Sequence, residues 1–284
     1  MARLLFTNCT ENAEHGGVYL FDTATKQHRR VLAHPSRGIT QGPDGLYVVG
    51  TRGAIYHLDP HTWQSTLKAD VELAGSHDIR WLNGEFVLVA SRGNWVVRLD
   101  EQFKQIDAMQ IVADDGDICH ANCLIEVNGA QLLTIFTLSP GLREEKRHGM
   151  AWRTEGKVLR LDWKHHRFDI AYEPLCQPHS MHWKDGLLYM CESFTGAIST
   201  VSFEKKAKAE LTRMHGFVRG LAFADGKAYV GISRVRTKRT AWQKFIYTFH
   251  MKCGIVEMDP KTWKPTARYP MPGSEVYEVM ALDS

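Results

Sequence analysis

Apolar and polar residues alternate along most of this chain with a period of two, and Asp-Gly or Asn-Gly pairs interrupt the alternation. The stretch "GITQGPDGLYVVGTRGAIYHLD" from Gly38 shows the unit. It returns as "HDIRWLNGEFVLVASRGNWVVRLD" from His77, "HANCLIEVNGAQLLTIF" from His120, "HSMHWKDGLLYMCESFTGAISTV" from His179 and "RGLAFADGKAYVGISRVR" from Arg219; a shortened "EVMALDS" begins at Glu278. Period-two alternation predicts half-buried strands. Asn-Gly and Asp-Gly supply the positive φ angles that tight hairpins need. Each unit therefore predicts a strand, a hairpin, a second strand, a Gly-containing turn and a third strand. The third strand ends at an Asp, as in "IYHLDPHTW", "VVRLDEQF", "VLRLDWKHH" and "IVEMDPKTW".

The units recur after 39 residues (Gly38 to His77) and 40 residues (His179 to Arg219), and after 59 residues in two wider cases (His120 to His179, Arg219 to Glu278). Repeats of about 40 residues with four strands each are propeller blades. The last unit stops after one strand, and "ARLLFTNCTENAEHGGVYLFDTATKQ" at the other end supplies the strands it lacks. The prediction is an all-β, six-bladed β-propeller, one domain over residues 1–284, closed by pairing of N- and C-terminal strands. Closure removes free sheet edges. An open solenoid or a β-sandwich leaves the split blade unexplained.

In a blade the innermost strand runs along the central channel and the second returns antiparallel. The starts of inner strands and the ends of second strands therefore share one mouth. This places Gly38, His77, Asp78, His120 or Asn122, His179, Arg219 and Glu278 together. Arg52, Arg92, Glu192, Ser193 and Arg234 stand around them. The extra residues of the wide repeats, 138–156 and 234–254, overhang the same mouth, as functional insertions on repeat arrays do. Strand alternation turns His179 toward the channel and His182 into the blade packing.

His77, His120 and His179 occupy one register in three consecutive blades. Three converging imidazoles suit a divalent transition metal (Zn, Fe, Cu, Mn or Ni) with an open position. Asp78, Glu192 and Glu278 are carboxylates available as ligand or general base. The same residues also suit a metal-free proton-transfer or anion site, or a polar lining satisfied by water. Arg219 stands where neighbouring blades carry histidine, and its planar fork matches a carboxylate, phosphate or sulfate. Asn122, Arg52, Arg92, Arg234 and Arg236 add to an expected anion-binding rim. Trp242, Phe245, Tyr247 and Phe249 interleave with the basic residues of the second insertion, as a lid over the ligand or a surface for a protein partner.

Composition narrows this further. With 284 residues and 44% hydrophobic content, the chain can bury a large core. No apolar run approaches the ~18 residues of a membrane span. The net charge is only +3, so no nucleic-acid partner is expected and any basic field is local. The six cysteines form no framework of a small secreted domain, and "MARLLFTNCTENAEHGG" does not read as an export signal. Reduced thiols in the cytoplasm are expected. Gly-rich phosphate loops, nucleophile elbows and dinucleotide fingerprints are absent from the sequence.

The strings "CHANCL", "PHSMHWKDGLLYMCESFTG", "GFVRGLAFADGKAYVGISRVR" and "CGIVEMDP" resemble a bacterial family of six-bladed propellers carrying a domain of unknown function, across residues 75–284. The resemblance implies the fold and no activity. The repeat form x-G-L-A-F-x-D-G-x-x-Y-V is similar, more distantly, to gluconolactonase and regucalcin-type propellers. Those hydrolyse lactones with a divalent metal held by Glu, Asn and Asp at the same mouth. The matching positions here are mostly His and Arg, which implies a softer metal or a different reaction. The expected function is a metal-dependent enzyme (hydrolase, lyase or oxidoreductase) acting on a small anionic substrate. The alternative is a non-catalytic propeller that grips an anionic ligand or a protein partner.

Overall fold

The computed structural model describes residues 2–11, 14–139, 154–234 and 253–282. Among them, the chain folds into six four-stranded antiparallel sheets arranged as propeller blades. Blade 1 comprises β4 (Ser36–Gln41), β5 (Leu46–Gly50), β6 (Ala54–Leu58) and β7 (Ser65–Asp70). Blade 2 comprises β8 (Ser76–Leu82), β9 (Glu85–Ala90), β10 (Trp95–Leu99) and β11 (Gln105–Gln110). Blade 3 is β12 (Leu124–Val127), β13 (Ala130–Ile135), β14 (Gly156–Asp162) and β15 (Arg167–Leu175). Blade 4 is β16 (Pro178–Lys184), β17 (Leu187–Glu192), β18 (Ala197–Ser202) and β19 (Ala207–Arg213). Blade 5 is β20 (Phe217–Ala224), β21 (Lys227–Ser233), β22 (Gly254–Met258) and β23 (Pro265–Pro270).

Blade 6 is shared between the chain ends. Its inner strand β24 (Val279–Ala281) pairs with β1 (Arg3–Asn8), followed by β2 (Gly17–Asp22) and β3 (Gln27–Leu32). The register is Leu4↔Ala281, Leu5↔Met280 and Phe6↔Val279. Leu4, Leu5 and Phe6 are fully buried, so closure rests on apolar packing as well as backbone hydrogen bonds.

Inner and second strands pack on a neighbouring blade through both faces, which explains their near-continuous apolar runs. Tyr47, Ile55, Ile79, Phe86 and Leu88 fill the space between blades 1 and 2. Val89, Leu124, Leu133 and Leu159 do so between blades 2 and 3. Outermost strands are largely exposed, as in β3 and β7.

One irregularity positions the site. The pairing of inner and second strands shifts register at the same place in four blades: Ser36/Ile39, Ser76/Asp78, His179/His182 and Arg219/Leu221. A bulge there interrupts alternation, so residues adjacent in sequence can serve the same channel at two depths.

Candidate functional site

The pairings define which residues stand at the same height in the channel. Ser36↔Gly50 in blade 1 matches Ser76↔Ala90 in blade 2. The residue equivalent to His77 is thus Arg37, not Gly38. Ser193 Oγ donates to Val218 O just before Arg219, and Ser233 Oγ donates likewise to Val276 O just before Tyr277. The sixth member is thus Tyr277, not Glu278. The upper ring reads Arg37, His77, Asn122, His179, Arg219 and Tyr277, one from each blade.

Tyr277 is its hub. Its hydroxyl lies 2.6 Å from His77 Nδ1 and 3.4 Å from Asn122 Oδ1. Its ring is flanked by the guanidinium groups of Arg219 (5.5 Å) and Arg37 (5.8 Å) and by the imidazoles of His77 (5.7 Å) and His179 (6.0 Å). Burial pushes its phenol far above the ordinary value against the lowering charges of Arg37 and Arg219, so it is a neutral donor.

Blade 3 carries one residue more than its neighbours before the inner strand. Phe136 N donates to Cys119 O as Ser91 N does to Gly75 O, and Leu124 comes five positions after Cys119 where Ile79 comes four after Gly75. The extra residue brings both His120 and Asn122 to the mouth. His120 takes a left-handed backbone, φ 46°. Its Nδ1 lies 2.7 Å from Asp117 Oδ2, and its ring meets His77 edge to face at 4.7 Å. Asn122 Nδ2 donates to His120 O at 2.6 Å.

His179 is anchored by Gln177 O (3.0 Å) and Ser193 Oγ (2.7 Å), both at Nδ1. Ser193 already donates to Val218 O, so His179 carries its proton on Nδ1 and Nε2 is a bare lone pair. Ser193 is therefore no nucleophile activated by His179. Burial, then the charges of Arg37 for His77 and Arg219 for His179, hold both histidines well below the usual imidazole range. Both are neutral at pH 7.

The expected three-histidine centre is thus a pair and a neighbour. Phe136 packs on both His120 (4.5 Å) and His179 (5.3 Å), an apolar ring beside both imidazoles. Among the described residues no group of three or more His, Cys, Asp or Glu side chains is placed to hold a metal ion.

Arg219 reaches the mouth as expected, and its Nη1 also pairs with Glu275 Oε2 at 3.2 Å. Arg37 Nη1 donates to Ser76 O. Three polar atoms of the ring are buried without a hydrogen-bond partner: Arg37 Nε, Arg219 Nε and His179 Nε2.

The expected carboxylates lie elsewhere. Asp78 and Glu278 sit below the ring, where Arg80 crosses the channel. Arg80 Nε donates to Asp78 Oδ2 (3.0 Å) and Leu124 O, Nη1 to Ile39 O, and Nη2 to Glu278 Oε1 (3.3 Å). Asp78 also accepts from the backbone N–H groups of Ile79 and Leu124, so it stitches blade 2 to blade 3. Burial raises Asp78, and burial with the Asp78 charge raises Glu278 to about 7. Glu192, expected at the rim, is turned into blade 4. It accepts from Ser199 Oγ, Cys176 N and Lys208 Nζ and is 2% exposed. Its hydrogen bonds there are made within blade 4 and to the segment leading into it. His182, expected in the blade packing, lies beyond the bulge, its ring tilted against Phe223 at 4.8 Å on the wall of a second cavity that Arg80 and Glu278 also line.

A cavity of about 690 Å³ opens over blades 1 to 3, lined by Arg37, His77, His120, Asp117 and the exposed Arg52 and Arg92. Glu11, Asp70 and Glu72 share its walls, so this cavity carries both signs. Arg234 is exposed and is not among the residues lining this cavity. Arg236, the aromatics of the second insertion and most of both insertions lie outside the described residues.

Arg37, Tyr277, Arg80 and Asp117 escape the sequence reading. Blade 1 turns through Gly42–Gly45, bonded Gly42 N to Gly45 O, and counting back from its Asp-Gly pair as if the hairpin had two residues stops at Gly38, one short of Arg37. The last unit has no hairpin from which to count back to Tyr277.

A family model described as "Domain of unknown function (DUF4915)" matches residues 67–284. No curated protein matches the chain significantly. Among solved structures, a chain from the crystal structure of a nidogen/laminin complex matches with a TM-score of 0.70 at 11% identity, covering 99% of this chain and 98% of that one. A likeness at that identity shows the propeller fold and nothing of function. No helix among the described residues is long and apolar enough to cross a membrane.

Proposed function

Since the chain belongs to the DUF4915 family, whose description names no activity, we propose its function from the site: an enzyme that binds a small anionic molecule at the mouth and moves a proton on it. Arg37 and Arg219 receive the anion, and His77 and His120 are the acid–base pair. One observation carries the reading. Arg37 and Arg219 flank Tyr277 with buried Nε donors that have no partner, and Arg37 shares a cavity wall with His77 and His120. A buried donor left unpaired costs about 1–3 kcal/mol, which an anion in the mouth offsets.

The imidazoles suit proton transfer because their other nitrogens are held. Asp117 accepts a hydrogen bond from His120 Nδ1–H, which leaves Nε2 as a base. Tyr277 meets His77 at Nδ1. The mixed rim favours a ligand with one anionic head and hydroxyl or amino groups over a polyanion.

A second reading has the same pair hold a metal. Each Nδ1 is anchored as in metal-binding histidines, and rings 4.7 Å apart can turn both Nε2 atoms to one ion. Two imidazoles are one short of the three protein ligands usual at a catalytic zinc, so no step is derived through a metal.

Isothermal titration with inorganic phosphate and glycolate tests the proposal. Arg37→Gln and Arg219→Gln should each weaken binding about tenfold, and Arg219→Lys should not restore it, since lysine lacks the fork. Unchanged affinity in both glutamine variants overturns the anion site. Elemental analysis of untagged protein decides the second reading: about one equivalent of metal, lost in the His77→Ala/His120→Ala variant, supports it.

A further inference from the structure

The opposite mouth holds a second cavity, of about 380 Å³, that the upper site does not use. It is built from the ends of the inner strands of blades 3 to 6, with Arg80 reaching in from blade 2. Met181, Trp183, Phe223 and Met280 supply apolar walls, and Arg80 and Glu278 form its polar base.

Arg80 is the single cation between two buried carboxylates, Asp78 and Glu278. Burial and this crowding raise Glu278 to about 7, so a second cation beside it would favour its ionised form. Its donors are divided among Asp78, Glu278 Oε1, Cys123 Sγ and the carbonyls of Leu124 and Ile39. Glu278 is 8% exposed, and Arg80 Nη2 meets it at Oε1, which leaves Oε2 for a guest in the cavity. Glu126 at the rim adds a further negative charge. His182, on the same wall, is held neutral by burial and by the charges of Lys184 and Arg80. An anion is therefore repelled, and a neutral apolar guest would strip water from a carboxylate and give it nothing in return. The walls accept positive charge as well. The Lys184 ammonium already lies over the Phe223 ring, 6.0 Å from its centroid, a cation–π arrangement.

We propose that this cavity binds a small amphipathic cation, an alkyl- or arylammonium, with its ammonium on Glu278 and its apolar body between Met181, Trp183, Phe223 and Met280. The ammonium supplies a donor to Glu278 and a second positive charge to the Asp78–Arg80–Glu278 group. The pairing is charge-assisted, with a carboxylate that is itself largely buried, which makes it stronger than an ion pair between two exposed side chains. This site does not rest on the anion reading of the upper mouth.

The test is a titration followed by the methionine methyl resonances of protein labelled with methyl-¹³C methionine, with Met181 and Met280 assigned from Met181→Leu and Met280→Leu. The probes are benzylammonium and its neutral counterpart, benzyl alcohol. Benzylammonium should shift both methyls, and benzyl alcohol should bind about tenfold more weakly, the worth of one hydrogen bond to a charged group. In Glu278→Gln the preference for the ammonium should vanish, and Trp183→Ala should weaken both probes. Silent methyls, equal affinity for the two probes in the wild type, or a preference that survives Glu278→Gln each overturn the proposal. The wild-type comparison stands by itself if Glu278→Gln fails to fold. Phosphate titration reads the other mouth, so either site can fail alone.

Discussion

At the scale of the residue, Tyr277 sets the character of the upper mouth. One phenol meets side chains from five other blades, and around it sit two histidines that burial keeps neutral. A histidine held below its ordinary value of 6.5 binds a proton in the unfolded chain before it does so in the fold. The unfolded state therefore gains protons first as pH drops, and stability present above 6.5 is lost as pH falls through and below that value. The midpoint of thermal unfolding should fall between pH 7 and pH 5. The fall should be smaller in His77→Asn/His179→Asn, which keeps a hydrogen-bonding atom near each Nδ1 but cannot titrate. Calorimetry at the two pH values checks this, and an equal fall in both proteins would show that the histidines are not held neutral.

At the scale of the element, the bulged inner strand is the recurring device. It lets a ring residue and its successor serve the channel at two depths: His77 above Asp78, Tyr277 above Glu278. In blade 5 the successor is Gly220, with φ +66°, where an added Cβ would lie 2.8 Å from Val279 N and 2.9 Å from Glu278 C. Glycine is required there because β20 approaches β24 so closely. The short β24 is thus pinned between its sheet partner β1 and the neighbouring blade. Deleting residues 274–284 removes the inner strand of blade 6 together with Tyr277 and Glu278. It should abolish the single cooperative transition in urea followed by circular dichroism; a truncated chain that still unfolds in one sharp step would contradict the closure.

At the scale of the whole molecule, Arg80 divides the channel. It bonds the backbones of blades 1 and 3 and the carboxylates of blades 2 and 6, so one side chain ties four blades and separates the two mouths. Arg80→Ala leaves Asp78 and Glu278 buried without their cation. Breaking a buried ion group in this way costs about 3–5 kcal/mol. Urea denaturation should show that loss near neutral pH. It should be partly recovered in Arg80→Ala/Glu278→Gln, where one of the two charges is gone. A loss within the range of an ordinary surface substitution would mean that the channel is wet enough to hydrate both carboxylates.

Alternation of apolar residues and the Asp-Gly and Asn-Gly pairs already specify strands, hairpins and their count, because a half-buried strand and a tight turn are local demands on a few neighbouring residues. The split of blade 6 follows from the same pattern, and so does the gathering of His77, His179 and Arg219 at one mouth. Which side chains meet there is a different matter. The bulges interrupt the period of two, blade 3 inserts a residue before its inner strand, and blade 1 turns through four residues, so Arg37 and Tyr277 enter the ring unannounced. Glu192 finds Lys208 and Ser199 inside its own blade, and Asp78 and Glu278 are drawn down to Arg80, because a buried charge takes the nearest partner that satisfies it. Those partners lie on other strands or other blades, and only the closed tertiary structure brings them within reach.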